Sequence, residues 1–250
     1  MTTMAMAIWV RAAAAFLLLA GASEAESCRT LVHEGESYAV CEAGADEDLR
    51  LFLNDADDAP IGTFERLREG LVAEGRRLVF AMNAGMYHPD RRPVGLYRAE
   101  GRDVSRLVTS AGPGNFGLLP NGVFCIREGG FAVIETRAYA NGSPDCRFAT
   151  QSGPMLVIGG ALHPRFLEGS DSRYVRNGVG VSADGHRAYF VISDGAVNFH
   201  TFARVFRDAL GVPDALYFDG NVSRLYAPEI LRDDFGFPMG PMVGLSVPAD

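Results

Sequence analysis

A hydrophobic strand runs directly into a polar, glycine-bearing end at Val79-Phe80-Ala81-Met82-Asn83-Ala84-Gly85. The same pattern returns at Val191-Ile192-Ser193-Asp194-Gly195 and at Leu216-Tyr217-Phe218-Asp219-Gly220-Asn221. Such an end brings a carboxylate or an amide to the rim of a sheet, where glycine lets a ligand approach the backbone. A single Asp-Gly or Asn-Gly is usually only a turn. Three of them after buried strands indicate one shared site.

The rest of the chain predicts many short strands and two clear helices. Thr63–Glu74 and Asn198–Leu210 have apolar residues at helical spacing, with Thr63 as N-cap and Gly75 as stop for the first. Strands are predicted at Arg29–His33, Ser37–Val40, Leu49–Leu53, Arg77–Met82, Val94–Arg98, Val104–Val108, Gly122–Arg127, Phe131–Glu135, Met155–Ile158, Asn177–Ser182, Ala188–Ile192, Ala215–Phe218 and Met242–Val247. Without a long linker or repeat, this pattern predicts a single α+β domain, with a mixed multi-stranded sheet and a few packed helices.

Composition excludes several classes of protein. Of the 250 residues, 48% are hydrophobic and 22% charged, which is too apolar for disorder and too charged for a membrane bundle. The net charge of −8 disfavours a nucleic-acid partner. All 23 basic residues are arginine, so a Walker lysine and every Schiff-base mechanism are excluded.

The N-terminus predicts export. Arg11 precedes the apolar run 12–20 and the small residues 21–25, which is the pattern of a secretory signal peptide cleaved after Ala25 or Ala22. A membrane anchor needs about 20 continuous apolar residues, and Arg11 divides the hydrophobic stretch. We therefore expect residues 1–25 to be a signal peptide. The mature protein, residues 26–250, is then periplasmic or secreted, without stable membrane insertion.

The four cysteines favour disulfides, because an exported chain with an even number of them usually pairs them. Each neighbouring pair flanks two predicted strands, and the second pair also encloses a predicted loop at 141–144. Cys28–Cys41 and Cys125–Cys146 are therefore the simplest of three connectivities. A zinc site is the alternative, but neither a CxxC nor a paired His-Cys spacing supports it.

One motif is misleading. Gly112-Pro113-Gly114-Asn115-Phe116-Gly117 matches the dinucleotide signature GxGxxG literally. That signature must open a helix, whereas the residues after Gly117 lead into a predicted strand. We interpret the segment as a flexible loop that faces a substrate.

The polar stretches form an ordered set, and their order and spacing carry a resemblance. The set is Met82–Tyr87, Asn121-Gly122, Gln151–Leu156, Arg176–Gly180, Ser193–Gly195 and Phe218–Ser223. It resembles the phosphodiester glycosidase family over about Leu78–Leu245, and within it the exported bacterial branch often named for exopolysaccharide biosynthesis. Two departures stand out. The family's Asp-Gly-Gly-Gly-Ser loop is Asp219-Gly220-Asn221-Val222-Ser223, and its Ser-x-Gly before a helix is Asn198-Phe199-His200.

The resemblance implies hydrolysis of the glycosidic bond of a sugar-1-phosphodiester, with a small or polymeric sugar-phosphate of the cell envelope or its surroundings as substrate. The departing phosphate needs little help from a general acid. A cation to hold it and a carboxylate at the anomeric carbon remain useful. Arg176 suits the first role, because guanidinium binds phosphate oxygens bidentately, and Asp219 and Asp194 compete for the second. The expected substrate contacts are Asn83, Gly85, Asn121, Gln151, Ser152, Asn177, Gly220, Asn221 and Ser223.

Other interpretations stay open. No cofactor is required, but Asp194 and Asp219 at two strand ends could together bind Ca²⁺ or Mg²⁺. A non-catalytic accessory protein could hold a glycan or glycolipid phosphate in the same pocket without turnover. A metal phosphodiesterase would cut the P–O bond and leave phosphate on the sugar. The bond that breaks, if any, separates these three functions.

Overall fold

A computed structural model describes residues 27–249 of the chain. Within that range it contains seventeen β-strands and three α-helices. The strands are β1 Cys28–His33, β2 Glu36–Gly44, β3 Leu49–Phe52, β4 Arg76–Asn83, β5 Tyr97–Ala99, β6 Arg102–Ser105, β7 Gly122–Arg127, β8 Gly130–Glu135, β9 Phe148–Ser152, β10 Met155–Ile158, β11 Ala161–Leu162, β12 Asn177–Val181, β13 Arg187–Ser193, β14 Asp214–Asp219, β15 Leu225–Ala227, β16 Arg232–Asp233 and β17 Met242–Pro248. The helices are α1 Phe64–Ala73, α2 Thr136–Gly142 and α3 Phe199–Arg204. The expected signal peptide lies outside the described residues.

The strands form three sheets, and every pairing between them is antiparallel. Their orders are β1-β2-β13-β12-β14-β10-β11, β16-β15-β4-β17-β3 and β6-β5-β9-β7-β8. The α+β class and the single domain are thus confirmed, with three antiparallel sheets in place of one mixed sheet. Part of the difference follows from hairpins, because consecutive strands joined by a short turn, such as β1–β2, β7–β8 and β12–β13, pair antiparallel.

Aromatic side chains join the three sheets in one core. Phe124 on β7 meets the ring of Phe190 on β13 edge-on, with the centroids 5.7 Å apart, and lies 6.4 Å from Phe218 on β14. Phe80 on β4 lies 5.5 Å from Phe190. All four rings are buried. Each sheet therefore contributes to the same hydrophobic centre, so the strand ends are held in fixed relative positions.

Both predicted helices are present, and a side chain caps each at its N-terminus; the cap of the first is the predicted Thr63. Thr63 Oγ1 accepts a hydrogen bond from the Arg66 amide at 3.2 Å, and Asn198 Oδ1 accepts one from Thr201 at 2.8 Å. The second helix is α-helical only over α3 and continues as a π-helical turn, Val205–Ala209. No helix within residues 27–249 is long and apolar enough to cross a bilayer.

The predicted loop at 141–144 is wrong in part, because α2 occupies residues 136–142. The Glu135 side chain caps this helix by accepting hydrogen bonds from the Arg137 and Ala138 amides, both at 2.9 Å. Ser143 ends it in the left-handed region, with φ 44°. The segment is too short to show a helical period in its sequence, so the cap and the burial of Tyr139 decide its structure.

The two predicted disulfides, Cys28–Cys41 and Cys125–Cys146, are confirmed. Cys28 and Cys41 lie directly opposite each other in the β1–β2 hairpin. Cys125 lies on β7, and Cys146 precedes β9, the strand that pairs with β7. Both bridges therefore link segments that the hydrogen-bond ladder already brings together.

Candidate active site

A cavity of about 830 Å³ opens where β14 ends. Five segments supply its walls: residues 86–94 after β4, residues 113–116, Ser172 with Tyr174 before β12, residues 217–222, and Phe237 with Pro238. The strand ends predicted to share a site thus contribute one wall directly, through residues 217–222. Loops from distant parts of the chain complete the cavity.

Asp219 is the carboxylate of this cavity. It ends β14, and only 8% of its surface is exposed. Its Oδ1 accepts hydrogen bonds from the backbone amides of Gly220 at 2.6 Å and Asn221 at 2.9 Å. Burial raises the pKa of Asp219 above its ordinary value, although these amide hydrogen bonds act in the opposite direction. The result is a fixed carboxylate that is more basic than an exposed one.

An asparagine pair holds the backbone on which Asp219 sits. Asn177 Nδ2 donates to Asn83 Oδ1 at 2.8 Å, and Asn83 Nδ2 donates back to Asn177 Oδ1 at 3.2 Å. Asn177 Oδ1 also accepts the Asp219 amide at 3.0 Å. A register shift after Asn177 puts this residue opposite Asp219 in the β12–β14 pairing. Both asparagines are completely buried, so their role is to position the carboxylate.

Ser223 fixes the far end of the same loop. Its hydroxyl lies 2.8 Å from the Val175 carbonyl and 3.0 Å from the Asp219 carbonyl. The next residue, Arg224, donates its amide to Asn83 Oδ1 at 3.0 Å. We call residues 219–224 the Asp219 loop. Hydrogen bonds to β4 and to the β12 segment hold it at both ends.

Arg176 lies behind the cavity wall and is completely buried. It donates from Nε to the Val197 carbonyl at 2.8 Å, from Nη1 to the Tyr217 hydroxyl at 3.2 Å, and from Nη2 to the Ser172 carbonyl at 2.8 Å. Within residues 27–249 no carboxylate pairs with it. Burial accordingly lowers its pKa. An unpaired buried charge is costly, and an anion in the neighbouring cavity would offset that cost.

Tyr217 connects Arg176 to the cavity. Its hydroxyl accepts the Arg176 hydrogen bond, and the residue lines the cavity together with Asp219. Burial raises the pKa of Tyr217, while the Arg176 charge acts in the opposite direction. A side chain on Gly220 would collide with this hydroxyl, which explains the glycine after Asp219. The hydroxyl can therefore pass the influence of the arginine to a bound anion.

The structure brings three of the predicted site residues directly to the cavity: Asp219, Gly220 and Asn221. Arg176, Asn83, Asn177 and Ser223 lie immediately behind them. All four are engaged in hydrogen bonds with the protein rather than open to a ligand. The predicted residues thus cluster, but most of them build the site instead of facing its contents.

The remaining predicted contacts support the surrounding walls. The Gln151 amide bonds to the backbone of Leu96 at 3.1 Å and of Val108 at 2.7 and 3.0 Å. Ser152 Oγ donates to the Phe218 carbonyl at 2.9 Å. Asn121 Nδ2 donates to the Phe116 carbonyl at 2.9 Å and so holds one cavity residue. Gly85, at φ 145°, allows the chain to pass close to β9, where a side chain would crowd the Thr150 hydroxyl.

Asp194 does not line the cavity that contains Asp219. It accepts a hydrogen bond from Ser37 Oγ at 2.6 Å and forms an ion pair with Arg232 at 2.8 Å. It lines a different cavity, which shares Gly220 and Asn221 with the cavity that holds Asp219. Among residues 27–249, no three His, Cys, Asp or Glu side chains converge as metal ligands would.

Several cavity residues were not predicted from the sequence: Tyr87, His88, Arg91, Ser172, Tyr174, Tyr217, Phe237 and Pro238. The sequence contains a signal for two of them, since Tyr217 lies within the polar-ended strand Leu216–Asn221 and Tyr87 ends the segment Met82–Tyr87 of the ordered set. Asn115 and Phe116 belong to the glycine-rich segment that was interpreted as a substrate-facing loop, and they do line the cavity. Phe237 carried no signal at all.

The chain belongs to the phosphodiester glycosidase family, whose sequence model matches residues 76–234. It is 34% identical over 180 residues to the uncharacterized protein YigE of Escherichia coli (strain K12), which covers 72% of this chain and 70% of that protein. The family resemblance found in the motifs is thereby confirmed.

Two solved structures share the fold. The catalytic domain of zebrafish N-acetylglucosamine-1-phosphodiester alpha-N-acetylglucosaminidase aligns with a TM-score of 0.59 at 13% identity, over 87% of this chain and 81% of that one. A protein of Burkholderia pseudomallei whose name describes it as exported aligns with a TM-score of 0.52 at 12% identity, over 84% and 74%.

Proposed function

We propose that the protein is an exported hydrolase that cleaves the glycosidic bond of a sugar-1-phosphodiester from cell-envelope or extracellular glycans. One observation carries this proposal. A buried carboxylate, Asp219, lines the cavity, and a buried cation, Arg176, which has no carboxylate partner among residues 27–249, reaches the same cavity through its hydrogen bond to the Tyr217 hydroxyl. Family membership supports the reaction class.

The phosphate occupies the end of the cavity beside Tyr217 and Ser172. As the bond between the anomeric carbon and oxygen breaks, negative charge grows on the departing phosphate. The Tyr217 hydroxyl, which accepts a hydrogen bond from Arg176, donates its own proton into a hydrogen bond with that oxygen. Stabilisation that strengthens as charge develops accelerates the reaction. The leaving phosphomonoester is stable enough that no strong acid has to protonate it.

Asp219 serves the other side of the bond. Its raised pKa makes the carboxylate a better base than an exposed aspartate, so it can take a proton from the attacking water. The water oxygen becomes the anomeric hydroxyl of the released sugar, its proton passes to the carboxylate, and the bonding electrons leave with the phosphate oxygen. The phosphorus keeps all of its original oxygens.

The position of heavy oxygen tests this assignment. The methyl ester of N-acetylglucosamine 1-phosphate is the first substrate to try, since that sugar appears in the name of the zebrafish structural neighbour. Hydrolysis in ¹⁸O-water should place the label on the sugar, as read by mass spectrometry. Label on the phosphate would overturn the proposal in favour of P–O cleavage. Sensitivity to a chelator would then point to Ca²⁺ or Mg²⁺ chemistry.

Variants of the two candidate aspartates, Asp219 and Asp194, test which of them is catalytic. Asp219→Asn should lower kcat by about a thousandfold with little change in phosphate affinity. Asp233→Asn, an exposed carboxylate outside the cavity, is the matched control and should retain the wild-type rate. If Asp194→Asn abolishes turnover while Asp219→Asn does not, the catalytic role belongs to Asp194.

A second function is favoured by one departure from the family pattern. Asn221 stands where the family has glycine, and it lines the cavity. A protein that retains the cavity but binds a glycan or glycolipid phosphate without cleaving it would serve as an accessory in exopolysaccharide biogenesis. Tight binding of sugar-1-phosphodiesters with no release of sugar would establish this alternative.

Export is part of the proposal, with residues 1–25 as its signal. Two disulfides support it, because such bridges persist in oxidising compartments. The exported structural neighbour is consistent with it. N-terminal sequencing of the protein from its native envelope should begin near Ser23 or Glu26. An intact Met1 in a cytoplasmic fraction would contradict export.

A further inference from the structure

Two phenylalanines stand exposed on the connection between β16 and β17. Phe235 is 95% exposed and Phe237 is 82% exposed, although large hydrophobic side chains are usually buried. They differ in one respect. Phe237 lines the candidate cavity with Pro238, whereas Phe235 faces two neighbouring depressions. Only Phe237 can therefore touch a molecule bound beside Asp219.

Hydrogen bonds fix the backbone that carries Phe237. The Arg224 guanidinium donates to the Phe237 carbonyl, and the Met239 amide donates to the Gly62 carbonyl at 2.7 Å. Arg224 packs against Gly236, where a side chain would collide with it. The Arg224 amide also binds Asn83, so the segment is tied to the network that holds Asp219. These contacts therefore hold Phe237 in its exposed position at the mouth of the cavity.

The lining of the cavity is chemically different on two sides. On the first side, Tyr217 and Ser172 both accept hydrogen bonds from Arg176, and Asp219 follows Tyr217 on β14. On the second side, Val222 packs against the hydrophobic cluster of α1 and Pro238 lies next to Gly62, with Phe237 beside it; we call Val222, Phe237 and Pro238 the apolar rim. A ligand that contacts both sides carries an anionic group next to an apolar group.

We propose that the group esterified to the phosphate, on the side away from the sugar, is an alkyl or aryl chain that rests on the apolar rim. The inference rests on the proposed function and follows from its geometry. The anomeric carbon must lie against Asp219, and the phosphate beside Tyr217. The remaining substituent then extends towards the rim, where apolar contact removes both surfaces from water.

Binding of simple phosphate monoesters tests the rim independently of catalysis. Methyl phosphate and octyl phosphate are titrated calorimetrically into the wild type, below the micelle concentration of the octyl compound. Octyl phosphate should bind at least about tenfold more tightly, because a tenfold change needs only ~1.4 kcal/mol of apolar contact. Phe237→Ser should remove that preference, and Phe237→Leu should keep most of it. Phe235→Ser, which removes an equally exposed ring from the same segment, should not change it.

Two results would overturn the proposal. Equal affinity of the wild type for both esters would show that the rim contributes nothing. Equal losses in Phe235→Ser and Phe237→Ser would indicate a general apolar surface, as for contact with a bilayer. Cleavage of the methyl and octyl esters of N-acetylglucosamine 1-phosphate is measured separately. If octyl phosphate binds more tightly while neither sugar-phosphate ester is cleaved, the apolar rim binds an alkyl group as proposed, and the proposed hydrolase activity is wrong.

Discussion

The guanidinium carbon of Arg176 lies 3.7 Å from the centroid of the Phe199 ring. The ring is part of a stack, since Phe166 lies parallel to it at 4.9 Å. A ring face and neutral oxygens together satisfy the cation without neutralising it. Phe199 belongs to the Asn198-Phe199-His200 segment that replaces the family's Ser-x-Gly, and Asn198 still caps α3. This departure therefore preserves the helix start and leaves the positive charge available to the cavity.

Arg176→Met should remove phosphate affinity while the protein still folds. Methionine can fill the apolar space against Phe199, and the Val197 carbonyl keeps a hydrogen bond from the Tyr174 amide. Calorimetry with methyl phosphate should show at least a tenfold weaker Kd. Arg173→Met is the control, because Arg173 is exposed and paired with Glu36. An unchanged Kd in Arg176→Met would show that the buried charge does not reach the cavity.

Tyr217→Phe separates the hydroxyl from the ring. The ring stays in its apolar surroundings, but the buried Arg176 loses a hydrogen-bond acceptor, so we expect a loss of about 1–3 kcal/mol in stability. The donor to the leaving oxygen disappears as well. Turnover of the methyl ester should fall by about 10 to 100-fold, mainly in kcat. A loss confined to KM would instead indicate that the hydroxyl only binds the ground state.

Asp219→Asn should raise the melting temperature at pH 7. Because the pKa of Asp219 is raised in the folded protein, ionisation costs folding free energy that grows as the pH rises above the ordinary aspartate pKa and is fully present above the raised pKa. Below the ordinary aspartate pKa of about 3.9 the carboxyl is protonated in both states, so the cost vanishes there. The gain of the variant should therefore shrink as the pH falls. Scanning calorimetry of the variant and the wild type at pH values between roughly 3 and 8 measures this difference in melting temperature. A melting temperature below that of the wild type at pH 7 would contradict this reading of the burial.

Asn177→Ala should destabilise the fold and disable the site together. The change leaves Asn83 Nδ2 and the Asp219 amide without their hydrogen-bond acceptor in a buried position. Each lost partner costs about 1–3 kcal/mol, so we expect a loss of ~2–4 kcal/mol in the free energy of unfolding by urea. Asn54→Ala, which removes an exposed contact with Asp58, should cost less than ~0.5 kcal/mol. Similar values for the two variants would refute a structural role for the asparagine pair.

The two disulfides should contribute nearly equally to stability. They close segments of 13 and 21 residues, and loop entropy depends only weakly on that difference. Replacing either pair with serine should cost about 3 kcal/mol, and the two losses should agree within ~0.5 kcal/mol. Denaturant unfolding of the two double variants measures this. A much larger loss for one pair would mean that its bridge also stabilises the folded state, in addition to lowering the entropy of the unfolded chain.

Local signals made much of the fold predictable. The first helix was predictable from its cap, Thr63, and both helices from their apolar spacing, because these are properties of a few adjacent residues. Strand ends pointed to Asp219 for the same reason. Most strands were located within one or two residues, since each is a short apolar run between turns.

Tertiary contacts account for what was missed. Gln151 resembled a ligand contact, but its amide binds the backbone of Leu96 and Val108, far from it in the sequence. A polar residue at a strand end looks the same whether it meets a ligand or another segment. The pairing of Asn177 with Asp219 likewise depends on the register shift between β12 and β14, and the hydrogen bond from Arg176 to Tyr217 joins residues 41 apart in the sequence. No local pattern reveals either contact.

The position of β17 bears on how the molecule is made. This strand, the last of the described chain, lies between β3 and β4, and its Met242 pairs with Asn83. The sheet that carries Asn83 therefore cannot close until β17 has left the ribosome. The early strand β3 pairs only with this much later strand, which makes the closure of the sheet a slow, non-local step. The backbone that holds Asn83 beside Asp219 is thus completed only after residues 242–248 are made, so a chain stopped before residue 242 is without its site.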